Sequence, residues 1–134
     1  MVRPSPMPES DFQHLRVLIA NEKRDRLELL AQVVTGLGHD VIAREIYVKE
    51  VGAVTAREHP DVALVGLGSS SEHALELIAE IVREASCPVI AILHAGDPAY
   101  VREAAKRGAE LILPLEEIAG ALTTVVLGRR RKRP

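Results

Sequence analysis

The sequence has little cysteine and no long apolar run, and each shortage excludes a class of protein. Its single cysteine, Cys87, has no partner within the chain, which excludes a disulfide framework and a zinc site built from several cysteines. No apolar run approaches the about 18–20 residues that a membrane span requires. The first nine residues contain three prolines and no apolar stretch, so they do not form a secretory signal. We therefore expect a reduced, cytoplasmic protein that does not cross a membrane.

Aromatic residues are also scarce, since the chain contains one Phe, two Tyr and no Trp. Its core must therefore be built from Val, Ile, Leu and Ala. The length of 134 residues suits one domain, and a hydrophobic share of 47% is too high for a disordered chain. We expect a folded domain at residues 15–128, between a flexible Pro- and Ser-rich leader at 1–14 and a basic tail at 129–134.

The net charge of −2 conceals an uneven distribution of charge. Without the five cationic residues of the tail, the remainder of the chain has a net charge of −7. Such an acidic body does not attract nucleic acid, so only the tail offers a site for it. A tail of this kind is usually solvated, and no aromatic residue lies near it to stack on bases. Its cationic residues are Arg129, Arg130, Arg131, Lys132 and Arg133.

Short apolar runs alternate with segments of helical periodicity from residue 15 onward. The runs predict five strands, at 16–20, 40–44, 62–65, 89–93 and 111–113. Between them, the periodicity predicts helices at 27–37, from 48 to about 58, before the stop at 87–88, and from 97 to 107. A last helix is predicted from Leu115 to about Leu127. Gly38 is the better candidate for a left-handed cap after the first helix.

Five strand–helix units in strict alternation predict a parallel sheet with helices on both faces. The expected fold is α/β, a flavodoxin-like (βα)5 three-layer sandwich with strand order 2-1-3-4-5. The first and third strands, which are the most apolar, should be central. In this arrangement a site lies at the carboxyl ends of strands one, three and four. The loops of interest are therefore 21–22, 66–71 and 94–97.

Four blocks of sequence stand out along the chain. They are 16–20 with the polar pair that follows, Pro60-Asp61 before the third strand, 87–90 at the fourth strand, and 102–109 before the fifth. Together these blocks resemble response-regulator receiver domains of the CheY-like family. The blocks occur in the family's order and spacing, and the match extends from Leu15 to about Leu127. Within the family, segments 76–83 and 97–99 look most like receivers linked to ANTAR RNA-binding modules.

The resemblance implies a phosphorylation site, but the residues that the chemistry needs are missing. In receivers an Asp after strand three accepts the phosphoryl group, two acidic residues hold Mg²⁺, and a hydroxyl residue and a Lys bind the phosphoryl oxygens. Glu22 alone should bind Mg²⁺ poorly. The resemblance therefore implies a non-catalytic pseudo-receiver that needs no metal or cofactor. The corresponding positions are Gly66 for the acceptor, Asn21 and Glu22 for the acidic pair, Leu93 for the hydroxyl and Leu113 for the Lys.

The loop after the third strand offers a second hypothesis, a binder of a small anion or nucleotide. Backbone N–H groups of Gly68, Ser69, Ser70 and Ser71 at a helix start are a general anion site. The same residues also fit a purely structural interpretation, because Ser69 and Glu72 have the spacing of a capping box. The structural interpretation is the stronger one, since a lone Gly-x-Gly is a weak signal.

The last two helices are predicted to carry a docking surface. The last helix is apolar over more than its core-facing stripe, and in receivers this region binds output domains or a second copy. We therefore expect a signalling module that works through a protein partner or as a homodimer. The alternative is a regulator that binds RNA or DNA through the basic tail. The predicted surface comprises Tyr100, Arg102, Lys106, Ala119, Thr123, Val126 and Leu127.

Overall fold

The computed structural model describes residues 14–66, 71–84, 87–93 and 98–132. The strands are β1 (Arg16–Ala20), β2 (Asp40–Glu45), β3 (Val62–Val65), β4 (Val89–Leu93) and β5 (Leu111–Pro114). The helices are α1 (Arg24–Gly36), α2 (Val48–Glu58), α3 (Ser71–Glu84), α4 (Pro98–Lys106) and α5 (Ile118–Lys132). A 3₁₀ turn (Leu115–Glu117) precedes α5. Among the described residues, none of the helices combines the length and hydropathy that a membrane crossing requires.

The five strands form one parallel sheet in the order β2-β1-β3-β4-β5, which confirms the predicted fold. The central strands are β1, β3 and β4, and β5 is an edge strand. Strands β1 and β3 end level with each other, because Ala20 pairs with Val65. The residues that follow them, Asn21 and Gly66, therefore emerge side by side at the carboxyl end of the sheet.

Both faces of the sheet are covered, and alternation along β1 divides its side chains between two apolar clusters. Val17 and Ile19 join the first cluster with residues of α1 and α5. Leu18 and Ala20 join the second cluster with residues of α2, α3 and α4. Both clusters are almost entirely aliphatic, as the shortage of aromatic residues requires. The arrangement is the expected three-layer sandwich.

Glycine ends α1 as predicted. Gly38 has a φ of +93°, and its N–H donates to the carbonyl of Thr35 at 2.9 Å. The next N–H, of His39, donates to the carbonyl of Val34 at 3.2 Å. This pair of hydrogen bonds is a Schellman motif, which satisfies carbonyls that the end of a helix leaves open.

The last helix differs from its prediction at both ends. Its predicted first turn is a 3₁₀ turn, and α5 continues past the predicted end near Leu127 to Lys132. The segment predicted as a basic tail therefore begins as helix. Arg and Lys have high helix propensity, and positive charge is favourable at the carboxyl end of a helix dipole. The predicted leader lies outside the described residues, apart from His14.

Candidate functional site

The candidate site lies at the carboxyl ends of β1 and β3, where the sequence placed the acidic pair and the acceptor. The backbone N–H of Gly66 donates to the carbonyl of Ala20 at 2.8 Å. The backbone N–H of Asn21 donates to the carbonyl of Glu45, at the end of β2, at 3.1 Å. These hydrogen bonds extend the parallel pairing beyond the strands and fix Asn21 and Gly66 next to each other.

Asn21 is one of the few buried polar side chains in the described residues, with 1% of its surface exposed. Its Oδ1 accepts a hydrogen bond from the backbone N–H of Lys23 at 2.9 Å. Lys23 directly precedes α1, and its own side chain makes no capping hydrogen bond. Asn21 therefore stabilises the turn that leads from β1 into α1, a role for which Asn is well suited.

The carboxamide of Asn21 also fills the space beside Gly66. A methyl group built on Gly66 would overlap Asn21 Nδ2, and it would lie 3.2 Å from both Asn21 Cγ and Leu30 Cδ1. Gly66 itself is buried. The position at the mouth of the central strand thus has no side chain of its own, and its neighbours leave no room for one.

The other positions of the predicted site supply little polar chemistry. Glu22 is half-buried, and Leu113 packs against the first apolar cluster. Leu93 ends β4, and its side chain lies outside the described residues. Among the described residues, no group of three His, Cys, Asp or Glu side chains could hold a metal ion. The described part of this site therefore offers one carboxylate, that of Glu22, beside a neutral amide and aliphatic groups.

One carboxyl group near the site has a shifted pKa. Burial raises the pKa of Glu45, and the nearby carboxylate of Glu50 raises it further, while Arg57 opposes both effects. Glu45 contacts the site through its backbone carbonyl, which accepts the hydrogen bond of Asn21.

Of the four residues of the predicted anion loop, only the last belongs to the described part of the chain. Gly68, Ser69 and Ser70 lie outside the described residues, and Ser71 is the exposed first residue of α3. One contact here was not predicted from the sequence: His73 Nε2 lies 2.8 Å from the carbonyl oxygen of Ile46. This hydrogen bond joins the start of α3 to the end of β2. No local sequence signal indicates it, because the two residues are distant in the chain.

The predicted docking surface is exposed at four of its positions and buried at one. Arg102 and Lys106 on α4 are exposed, and so are Ala119 and Thr123 on α5. The prediction that Tyr100 belongs to this surface is wrong, because only 2% of its surface is exposed and its ring lies in the second apolar cluster. In a chain this poor in aromatic residues, the large apolar area of the ring favours the core. The side chains of Val126 and Leu127 lie outside the described residues.

An open groove beside β5 was not predicted from the sequence. It has a volume of about 570 Å³ and lies between the edge strand and the start of α5. Helix α5 packs on the sheet through Ile118 and Leu122, which leaves one side of the groove without cover. The residues that line it are Leu111, Leu113, Glu116, Glu117, Gly120, Ala121 and Thr124.

Cys87 has a structural role in the core. It is partly buried and packs against the second apolar cluster. Burial raises the pKa of its thiol to about 11, so the thiolate is scarce at neutral pH. A thiol in this state is a poor nucleophile and metal ligand.

The comparisons with known proteins agree with this architecture. No family model matches the chain, and no curated protein matches it. Among solved structures, the chain is similar to a signal receiver domain of a modulated diguanylate cyclase from Desulfovibrio desulfuricans G20. The two sequences are 20% identical, and the structures superpose with a TM-score of 0.73. The match covers 89% of this chain and 98% of that one.

Two further structures match at similar levels. A LuxR-family two-component response regulator from Aurantimonas sp. SI85-9A1 has 15% identity and a TM-score of 0.75, with 86% of each chain covered. A CheY-like receiver domain protein from Methanospirillum hungatei JF-1 has 14% identity and a TM-score of 0.73, with coverage of 88% of this chain and 98% of that one. Identities this low establish architecture rather than activity. The chain has the fold of a response-regulator receiver domain.

Proposed function

We propose that this chain is a non-catalytic signalling module, a receiver-like domain that works without phosphorylation. It neither accepts a phosphoryl group nor holds Mg²⁺ at the carboxyl end of the sheet. Its output comes from protein–protein contacts of the last two helices, in signal transduction or transcriptional regulation. The solved receivers that share its fold support the signalling role, and the local structure of the site supports the loss of chemistry.

The observation that carries the proposal is the contact between Asn21 and Gly66. Aspartyl phosphorylation needs a carboxylate nucleophile at the end of β3 and a cation to neutralise the charge that develops. Gly66 supplies no side chain, and the amide of Asn21 occupies the volume that one would fill. Asn21 is neutral, so it does not supply the negative charge of an acidic Mg²⁺ ligand.

Without a phosphoryl group, switching must come from a partner that binds two states of the domain with different affinity. The exposed residues of α4 and α5 are the surface available for this. The two helices pack on opposite faces of the sheet beside the edge strand β5, since Ala104 lies in the second cluster and Leu122 in the first. A partner that contacts both helices would sense their position relative to β5.

The test is to incubate the protein with acetyl phosphate and Mg²⁺, and separately with beryllofluoride and Mg²⁺. We expect no change in intact mass and no shift of backbone amide resonances at Asn21, Glu22 or Gly66. A conventional receiver domain, treated in parallel, establishes that the reagents are active. Stoichiometric addition of a phosphoryl group, or a saturable response to beryllofluoride, would contradict the proposal.

A further inference from the structure

The chain enters β1 through a residue whose backbone is bound to a histidine ring. The N–H of Leu15 donates to Nδ1 of His39 at 3.1 Å. The carbonyl of Leu15 accepts a hydrogen bond from the N–H of Asp40 at 2.9 Å. Leu15 is fully buried, and a buried backbone N–H without an acceptor is costly. The start of β1 is therefore attached to the corner where α1 ends and β2 begins.

The hydrogen bond from Leu15 defines the protonation state of His39. A ring nitrogen accepts a hydrogen bond only when it carries no proton, so the imidazole must be neutral with its proton on Nε2. Protonation of Nδ1 would turn the acceptor into a donor that points at the Leu15 N–H. The buried N–H would then lose its acceptor. The contact is therefore compatible with only one charge state of His39.

The backbone of His39 is held independently of its ring. Its N–H donates to the carbonyl of Val34 in the Schellman motif that ends α1, and β2 begins at the next residue. Loss of the ring contact would leave this turn in place. Only residues 14 and 15, which directly precede β1, would be released from the corner.

Charged groups on neighbouring segments influence how readily His39 takes up a proton. Burial lowers the pKa of His39 below its ordinary 6.5, the nearby His14 lowers it further, and Asp40 raises it. His14 Nε2 lies 3.6 Å from Asp40 Oδ1. On β1, the guanidinium of Arg16 donates to two carbonyls at the end of α2, at 2.6 and 2.9 Å. The last turn of α1 and residues 118–125 of α5 have no charged side chain.

We propose that the contact between His39 and Leu15 is a pH-sensitive conformational switch. The neutral imidazole holds residues 14 and 15 against the corner between α1 and β2, and protonation of Nδ1 releases them. The switch lies at the amino ends of the strands, whereas the candidate site lies at their carboxyl ends. It is therefore independent of the proposed function and gives the domain a response to acid that needs no phosphoryl group.

A second attachment keeps the sheet together when the switch opens. The N–H of Arg16 donates to Asp61 Oδ2 at 2.8 Å, and the N–H of Asp61 donates to the carbonyl of Arg16 at 2.8 Å. A carboxyl group retains an acceptor oxygen whether or not it is protonated, unlike Nδ1 of an imidazole. The pairing of β1 with β3 should therefore outlast the contact with His39, and the Arg16 amide is a matched internal control for the Leu15 amide.

The sign of the pH dependence follows from the contact. The folded state favours neutral His39, whereas the unfolded chain takes up the proton near the ordinary pKa of 6.5. The unfolded state therefore binds more protons, and the free energy of unfolding falls as the pH drops below 6.5. The loss is complete once His39 is protonated in the folded state as well.

Nuclear magnetic resonance of the labelled protein tests the switch directly. At pH about 7.5 we expect a neutral His39 ring with its proton on Nε2. Between pH about 7.5 and about 5, protection of the Leu15 amide from hydrogen exchange should fall by about 10-fold or more relative to the Arg16 amide. The midpoint should coincide with protonation of the His39 ring. A neutral ring with its proton on Nδ1, or unchanged Leu15 protection while His39 titrates, would overturn the proposal.

Two substitutions separate the charge of His39 from its hydrogen bond. His39→Asn offers a side-chain oxygen near the position of Nδ1, so Leu15 should stay protected and its protection should no longer depend on pH. His39→Leu removes the acceptor, so Leu15 should lose its protection even at pH about 7.5. A His39→Asn chain that keeps the original pH response would contradict the proposal.

The two charged neighbours of His39 provide controls with opposite effects. His14→Gln removes a positive charge and should move the midpoint to higher pH, whereas Asp40→Asn removes a negative charge and should move it to lower pH. In both variants, loss of Leu15 protection should still follow protonation of the His39 ring. If the response disappeared in His14→Gln, the titrating group would be His14, and the proposal would be wrong. None of these outcomes alters the result expected with acetyl phosphate.

Discussion

Two regions of this domain differ in how much of their surface is available for function. At the carboxyl ends of β1 and β3, Asn21 and Leu30 close the space beside Gly66, and Asn21 is engaged by the turn into α1. Beside β5, the start of α5 leaves a groove in which Gly120 has no neighbour within 4 Å of an added methyl group. One region is filled from within the chain, and the other is open to a partner.

Under the proposed function, this difference suggests how a receiver fold can lose its chemistry and keep its contacts. The sheet and both apolar clusters do not depend on charged groups at the mouth of the central strand. Asn21 is a neutral side chain that packs there, in a position where adjacent carboxylates would repel one another. The flank of β5 is formed by helix packing, which does not involve Asn21 or Gly66.

The strongest test of the comparison is the same small change made in both regions. Gly66→Ala should destabilise the protein by about 1–3 kcal/mol, because its methyl group overlaps the Asn21 amide. Urea denaturation measures the effect. The double variant with Asn21→Ala should lose less stability than the two single changes combined, because removing the amide makes room for the methyl group. If the stability losses of the two single variants simply added in the double variant, the claim that the Asn21 amide fills the space beside Gly66 would be contradicted.

The matched change beside β5 should affect the free energy of unfolding in the opposite direction. Gly120→Ala adds a methyl group that meets no neighbour, and alanine is a better helix former than glycine. We expect the free energy of unfolding to rise by about 0.5–1 kcal/mol in urea denaturation at a concentration where the chain is monomeric. A loss of stability would indicate that this face of α5 is already covered within the chain.

The smallest expected effect concerns Glu45, which accepts the backbone hydrogen bond of Asn21 through its carbonyl. Its pKa is raised above the ordinary 4.5, first by burial and then by Glu50. Just above pH 4.5 the folded state therefore binds more protons than the unfolded state, so the free energy of unfolding falls as the pH rises. At neutral pH the carboxyl group is ionised in both states, and this loss of stability has reached its full size. Because Arg57 partly offsets this shift and the side chain is only half-buried, Glu45→Gln should gain only a few tenths of a kcal/mol at pH about 7.

The control for this prediction is the same pair of proteins at lower pH. Below pH about 4.5 the carboxyl group of Glu45 is protonated in both states, so the difference between the original chain and Glu45→Gln should disappear. Thermal unfolding across this range measures it. A gain that persists in acid would mean that hydrogen bonding or packing, rather than charge, is responsible.

The fold was predictable from local patterns, because five apolar strands and the helices between them leave little choice of topology. Strands 16–20, 62–65 and 89–93 have the predicted bounds, and the predicted order of the sheet is confirmed. The absence of a side chain at Gly66 is also plain in the sequence. What fills the space is not, because the positions of Asn21 and Leu30 beside Gly66 depend on register and packing.

The errors lie in the last third of the chain. Tyr100 was predicted to belong to the docking surface, but its ring lies in the second apolar cluster. The end of α5 was placed too early, because a run of positive charge was interpreted as a tail rather than as a helix terminus that such charge stabilises. The groove beside β5 depends on how α5 packs against an edge strand, which no local pattern specifies.

The central claim is that the mouth of the sheet holds no site for a divalent cation. Mn²⁺, a paramagnetic substitute for Mg²⁺, broadens the amide resonances of residues near its binding site, so titration of the labelled protein tests the claim directly. The account predicts no selective, saturable broadening at Asn21, Glu22 and Gly66 at low millimolar Mn²⁺. Saturable broadening confined to these residues would contradict it.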